Sequence, residues 1–173
     1  MPRQESQEDF LERSDIASSI SSIERLLNTG VFTAEVLRDF REPAFISIIV
    51  KANDLLQKMD DMGGRLTFTD DIQEAEGDIT NLVRNMRNAA CHISSPENLL
   101  DAESKIKFVF NMAYGKVNAV RIGDDVVVQG EYEDDVAVFY GKRRLYLKRH
   151  LIRLVQEAKA WARTRYPNDI LFR

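Results

Sequence analysis

A chain of 173 residues, 44% of them hydrophobic and 30% charged, has the size and composition of one folded domain. This balance excludes a disordered chain, and since no apolar run approaches the roughly 20 residues of a membrane span, we expect no membrane partner. The net charge of −4 is unevenly distributed: residues 1–80 contain 8 Lys and Arg against 17 Asp and Glu, whereas residues 81–173 contain 16 against 11. The basic second part can attract phosphate, although charge scatter of this size is also common without such a role.

Helical periodicity dominates the first 69 residues. Residues 6–28 predict a first helix, and residues 33–40 predict a short second one. A third helix is predicted from Pro43, which fits a first helical turn, to about residue 62. Gly63-Gly64 ends it, and residues 65–69 are expected to form an extended connector.

The next helical stretch is predicted to open at Asp70-Asp71, with an interruption at Gly77-Asp78. From residue 79 onward one apolar stripe defines a clear helix, which Ser94-Ser95-Pro96 ends. The stripe consists of Ile79, Leu82, Val83, Met86, Ala90 and Ile93. A further helix is predicted from about Glu97 or Asp101 to Tyr114.

Short segments rich in β-branched and aromatic residues follow, and they predict strands. They are residues 117–122, 125–129, 136–140 and 143–147. Gly123-Asp124 and Gly141-Lys142 are typical hairpin turns. A last helix is predicted over residues 148–165. The sequence therefore predicts a mainly α fold, an up-and-down helical bundle with a small antiparallel β insertion at 117–147.

Two features bear on where the protein is found. The first residues, Met1-Pro2-Arg3-Gln4-Glu5, lack the apolar stretch of a secretory signal. The single cysteine, Cys91, cannot form an internal disulfide, so we expect a reducing, cytoplasmic location.

Residues 84–92 place polar side chains on one side of a predicted helix. At about 100° per residue, the apolar stripe covers one face, and Arg84, Asn88 and His92 form a row on the opposite face. Arg87 flanks this row. These groups therefore point away from the core of the chain, and His92 is expected to be exposed unless something else covers it.

The segment Arg87-Asn88-Ala89-Ala90-Cys91-His92 resembles the signature of the HEPN superfamily, in which arginine is followed by a polar residue, three further residues and histidine. The resemblance implies a single HEPN-like domain over residues 1–173, with the β insertion as a subgroup feature, and a homodimer whose two motifs meet in one cleft. Many members cleave RNA without a metal or cofactor. They include bacterial toxins and phage-defence proteins, so the resemblance adds an antitoxin or regulatory protein to the expected partners.

The residue types suit this chemistry. When the 2′-hydroxyl of RNA attacks the adjacent phosphate, the reaction needs a proton acceptor, a proton donor and stabilisation of negative charge. We hypothesise that His92 is the general base or acid, that Arg87 clamps the phosphate with its two-pronged guanidinium, and that Asn88 orients its neighbours. Two protomers supply two copies of each group.

Basic residues are concentrated between positions 142 and 153, where aromatic side chains interleave with them. They are Lys142, Arg143, Arg144, Lys148, Arg149, His150 and Arg153. This cluster could follow an RNA backbone, and we predict RNA contacts for Lys148, Arg149 and Arg153, together with Arg84. The alternative is a polar strand edge beside a basic helical turn.

Two other interpretations of the motif stay open. The chain could be a non-catalytic HEPN domain that binds RNA or a nucleotide or serves as a dimerisation module. It could also be a helical adaptor whose polar row is only surface. No metal site is expected, because no Cys/His spacing resembles a zinc site and adjacent aspartates point in different directions. In one HEPN toxin subgroup a tyrosine two residues after the motif histidine is modified by a partner enzyme; Ser94 stands here instead, so we do not expect that route of control.

Overall fold

The computed structural model describes residues 7–92, 94–100, 105–122 and 125–172, and its fold is mainly α with a small antiparallel sheet. The α-helices are α1 (Gln7–Asn28), α2 (Arg41–Asp61), α3 (Ile79–Cys91) and α4 (Arg153–Arg165). The strands are β1 (Asn111–Tyr114), β2 (Asn118–Ile122), β3 (Asp125–Gln129), β4 (Val136–Tyr140) and β5 (Arg143–Tyr146). A π-helical turn, Leu147–Ile152, runs directly into α4. None of the helices in the described ranges combines the length and apolar character that a membrane crossing requires.

Ion pairs show that neighbouring helices run in opposite directions. Lys58 near the end of α2 lies 3.0 Å from Asp15 near the start of α1. Arg65, just beyond α2, lies 2.9 Å from Asp78, the residue that caps the start of α3. Arg13 of α1 pairs in the same way with Asp169, which follows α4. The helices therefore alternate along the chain, as in an up-and-down bundle.

The core lies where the helices face one another. Each contributes an apolar face, for example Ile16 and Ile23 of α1, Phe45 of α2 and Leu82 of α3, all of them fully buried. Burying one such side chain stabilises the fold by about 1.5–3 kcal/mol. Packing is closest beside Gly64, where an added Cβ would lie 2.1 Å from the Trp161 ring nitrogen.

Two small antiparallel sheets are present in the described residues. One has the strand order β1-β4-β5, and the other pairs β2 with β3. Both faces of β4 are covered, because Val138 and Tyr140 join the helical core while Ala137 and Phe139 join a smaller cluster under the β2–β3 ribbon. The sheet region therefore begins at β1, earlier than the predicted insertion at 117–147.

The helix predicted from about Glu97 or Asp101 to Tyr114 is wrong over the described residues. A 3₁₀ turn occupies Pro96–Asn98, and β1 replaces the last part of the helix. The buried strand β4 needs a hydrogen-bonding neighbour on each side, and β1 supplies one of them. Strand pairing therefore overrides the local helical pattern. The backbone of Phe110, at φ +31°, also excludes a continuous helix.

Two smaller predictions are also corrected. The helix predicted at 33–40 is a 3₁₀ helix over Glu35–Phe40. The stretch predicted to open at Asp70-Asp71 forms only a 3₁₀ turn at Glu74–Glu76, because Asp71 has a left-handed backbone with φ +62°. The turn at Gly141-Lys142 joins β4 to β5, whereas the predicted turn at Gly123-Asp124 and the stripe residue Ile93 lie outside the described residues.

Candidate functional site

Helix α3 contains the motif that the sequence pattern indicates as far as Cys91, and it is strongly amphipathic. Asp78 caps its start by accepting a 2.8 Å hydrogen bond from the backbone of Asn81. The predicted stripe is buried from Ile79 to Met86, but near the end of the helix Ala89 is the buried alanine and Ala90 is half-buried. The helix ends at Cys91, after which His92 has an extended backbone.

The motif residues lie on the side of α3 that faces away from the core. Arg84, Cys91 and His92 are exposed, and Arg87 and Asn88 are half-buried. The guanidinium of Arg87 donates a 3.2 Å hydrogen bond to the side-chain oxygen of Asn88. Of the five donors on a guanidinium, this contact uses one. The others have no partner among the described residues.

The hydrogen bonds of His92 in the described part of the chain are made by its backbone N–H and carbonyl, and not by its ring. Its N–H donates to the carbonyl of Asn88 at 3.1 Å, as in a last helical turn. Its carbonyl accepts from the backbone N–H of Ser95 at 2.8 Å and from the side-chain amide of Asn98 at 3.1 Å. The exposed imidazole is therefore available for proton transfer, but one chain supplies only one such ring at this site.

Residues beside the motif form a network of charged and polar contacts that connects α3 to the segments before and after it. The amide of Asn85 donates a 2.7 Å hydrogen bond to the buried carboxylate of Glu76. Arg143 of β5 lies 2.9 Å from the same carboxylate and also pairs with Glu97, which follows α3. The sheet is thereby tied to both ends of the segment that carries the motif.

Sequence reasoning missed Glu76 and Asn98. Each belongs to a short 3₁₀ turn outside the motif helix, and each is almost fully buried. Glu76 contacts Asn85 of α3 and Arg143 of β5. Asn98 donates a hydrogen bond to Ala89 of α3. Such residues are recognised as buried polar side chains next to a helix end. The sequence alone does not show that these two positions are buried.

The predicted RNA-binding residues on the last helical segment all take part in ion pairs. Arg149 contacts Asp134 at 3.0 Å and the buried Asp135 at 3.2 Å. Its guanidinium also lies 3.7 Å from the centre of the Tyr132 ring. Lys148 lies 3.8 Å from Asp134. The hydrogen bond from Arg149 lowers the pKa of Asp134, so this carboxylate stays charged and holds its partner.

Arg153 is paired in a similar way. It lies 2.7 Å from Asp70 and 2.8 Å from Glu157, and its guanidinium covers the Phe68 ring at 4.0 Å. Arg84, in contrast, donates to the side chain of Asn81 at 2.8 Å and has no ion pair among the described residues. In the part of the chain that the structure describes, no hydrogen bond or ion pair joins Lys148, Arg149 or Arg153 to residues 84–92.

His150 does not belong to the basic surface in which the sequence places it. It is fully buried, its ring packs edge-on against Tyr146, and its Nδ1 accepts a 3.1 Å hydrogen bond from the Tyr146 backbone. Burial lowers the pKa of His150 to about 4. The ring is therefore neutral at pH 7, and it acts as a core residue and a hydrogen-bond acceptor.

A separate open cleft of about 580 Å³ lies between the 3₁₀ helix Glu35–Phe40, the start of α2, and β1. Its lining mixes acidic and basic side chains. Arg41, its most buried charged residue, is occupied by the carbonyls of Val31 and Ala34 and by Glu35. Arg41 is therefore not available to a ligand in this cleft.

No family model, curated protein or solved structure matches this chain. Among the described residues, no three His, Cys, Asp or Glu side chains are grouped so that they could hold a metal ion. The side chains at and just beyond the end of α3 are therefore the basis of the function proposed below.

Proposed function

We propose that this chain is a HEPN-type endoribonuclease that cleaves RNA without a metal, at a composite site formed by a homodimer. The observation that carries the proposal is the outward face of α3. It presents Arg87 with donors that have no partner among the described residues, Asn88 bonded to that arginine, and an exposed His92 at the helix end. These are the groups that phosphate binding and proton transfer require.

The reaction begins when the imidazole of one His92 accepts the proton of a 2′-hydroxyl. The freed oxygen bonds to the adjacent phosphorus, and negative charge grows on the phosphate oxygens beside Arg87. The 5′-oxygen of the next nucleotide leaves with a proton from the second His92. The products are a 2′,3′-cyclic phosphate and a 5′-hydroxyl. One imidazole cannot be base and acid in the same step, which is why the proposal needs two protomers.

Dimerisation through the outward face of α3 would bring the two His92 side chains into one cleft. Cys91 and Asn88 would then lie at the seam beside them. Small and polar residues at such a seam let two helices approach closely. In this arrangement the exposed histidine of each chain becomes covered by the other chain.

RNA would extend from this cleft over the basic residues. Arg84 is the contact best prepared to bind phosphate, because its partner among the described residues is an uncharged amide. Lys148 and Arg153 would exchange exposed carboxylate partners for phosphate, whereas Arg149 would also have to leave the buried Asp135. The biological setting that we propose is a bacterial toxin or phage-defence effector in the cytoplasm, controlled by an antitoxin or regulatory protein.

The decisive experiment incubates purified wild-type and His92→Ala protein with total RNA in EDTA. Ser94→Ala, a change at an exposed neighbouring position, is the matched control. We expect 2′,3′-cyclic phosphate ends from the wild type and the control, and none from His92→Ala. Equal cleavage by all three would overturn the assignment. Binding of RNA without cleavage would support the alternative, a non-catalytic HEPN module.

A further inference from the structure

Asn98 is a fully buried polar side chain at the end of the motif helix. Its amide nitrogen donates two hydrogen bonds of 3.1 Å, one to the carbonyl of Ala89 and one to the carbonyl of His92. The last four carbonyls of an α-helix have no partner within the helix. Asn98 therefore supplies partners at the point where α3 ends and His92 leaves it.

Asn98 is itself fixed in place by the sheet region. Its backbone carbonyl accepts a 2.8 Å hydrogen bond from Phe108, and its backbone N–H donates to Ser95 at 3.2 Å. The turn between β4 and β5 presses against the same segment, because a Cβ added to Gly141 would lie 2.3 Å from the carbonyl oxygen of Glu97. Hydrogen bonds to the backbone of Asn98 on both sides therefore support its side-chain amide.

The consequence is a restrained backbone at His92. The Asn98 amide and the Ser95 N–H donate to the same carbonyl of His92, which restrains the backbone on its C-terminal side. The bond to Asn88 fixes its N-terminal side. Only the two side-chain torsions of the exposed imidazole remain free. A catalytic group held in this way loses little freedom when substrate binds.

We infer that Asn98 is a positioning residue that aims His92 at the reacting phosphate. This inference rests on the proposed nuclease function for its catalytic part, but the positioning itself can be measured without activity. The substitution Asn98→Asp keeps the size of the side chain and removes the amide donors. It also places negative charge against the two carbonyls. Asn98→Ser is a second, milder change, and Asn111→Asp is the matched control because the Asn111 amide bonds only locally, to Val109.

The experiment can follow each histidine separately, because His92 and His150 are the two histidines of the chain. Ring signals in a ¹H–¹³C spectrum can be assigned to His92 by their loss in His92→Ala. His150, packed against Tyr146, reports whether the fold is retained. In both Asn98 variants we expect shifted His92 signals from a more mobile ring and unchanged His150 signals. We also expect a loss of kcat of up to about 100-fold in Asn98→Asp, with KM nearly unchanged, as for a misplaced catalytic group.

Each outcome separates the inference from the proposed function. Unchanged His92 signals in a folded variant would overturn the inference, as would wild-type kcat. Loss of the His150 signals in both variants would also contradict it, because Asn98 would then act in stability alone. Altered His92 signals in a protein whose wild type does not cleave RNA would retain the positioning role and reject the nuclease.

Discussion

The guanidinium of Arg87 donates a hydrogen bond of 3.2 Å to the side-chain oxygen of Asn88, its neighbour on α3. Consecutive residues on a helix point about 100° apart, so this bond draws the guanidinium sideways along the exposed face. The backbone of the same Asn88 accepts a 3.1 Å hydrogen bond from the N–H of His92. Asn88 thus contacts both Arg87 and His92, and the remaining donors of the guanidinium have no partner among the described residues.

Arg87→Lys tests whether the shape of the guanidinium matters as well as its charge. Lysine keeps the positive charge but cannot bond to Asn88 and present a fork to phosphate at once. We expect kcat for RNA cleavage to fall by about 100-fold, which is the scale for losing one donor to developing negative charge. Initial rates on a labelled RNA measure this effect. Arg165→Lys, at the far end of α4, should cleave normally, and a fully active Arg87→Lys would contradict the clamp.

Mixing of wild-type and His92→Ala protomers tests the composite site. If one reaction needs both histidines, only dimers with two wild-type chains cleave RNA. After full exchange of equal amounts, random pairing leaves about a quarter of the dimers active, whereas independent sites would leave about half of the original rate. The measurement is the cleavage rate against the fraction of variant chain. A linear decrease would contradict the shared site.

The salt dependence of RNA binding tests the predicted phosphate contacts in an inactive His92→Ala background. Each contact removed should lower the slope of log affinity against log salt by roughly 0.7 for single-stranded RNA. We expect Arg84→Gln to weaken binding most, because Arg84 gives up no ion pair to bind phosphate. Arg153→Gln should have a smaller effect, since Asp70 and Glu157 already hold Arg153. Arg25→Gln, an exposed change on α1, is the control that should leave the slope unchanged.

The sequence predicts the long helices because their apolar residues repeat every three or four positions over many turns. Residues 6–28 and Gln7–Asn28 agree almost completely, and the stripe from Ile79 finds α3. The sequence-based predictions fail where a contact with a distant part of the chain determines the local structure. Residues 111–114 become β1 because the buried strand β4 needs a neighbour, and nothing in the local pattern shows that need.

Some features of the candidate site are likewise predictable from the sequence, and others are not. Helical geometry alone places Arg84, Asn88 and His92 on one face; in the structure Arg84 is exposed and Asn88 half-buried on α3, whereas His92 lies just beyond the end of the helix with an extended backbone. The contacts of Arg149 with Asp71 and of Arg153 with Asp70 could not be predicted, because these aspartates are separated from the arginines by about half of the chain. The cap from Asn98 also depends on how the segment after α3 folds back, which no periodicity describes.

His150 gives the fold a dependence on acid that can be measured directly. Burial lowers the pKa of His150 to about 4, below the usual value near 6.5 in an unfolded chain. Between these two values the unfolded state binds the proton and the folded state does not. The free energy of unfolding therefore decreases as the pH falls from about 6.5 towards 4. We expect the contribution of His150 to this loss to be about 2 kcal/mol between pH 7 and pH 4.5.

Urea unfolding of wild type and His150→Phe at these two pH values isolates the effect, because the carboxylates titrate in both proteins. Phenylalanine fills a similar volume but cannot accept the hydrogen bond from the Tyr146 backbone. We expect the variant to be less stable at pH 7 by about 1–3 kcal/mol, the cost of leaving that N–H unpaired. Its stability should then fall less than that of the wild type on acidification. Equal losses in the two proteins would show that His150 is protonated as readily in the folded state as in the unfolded state.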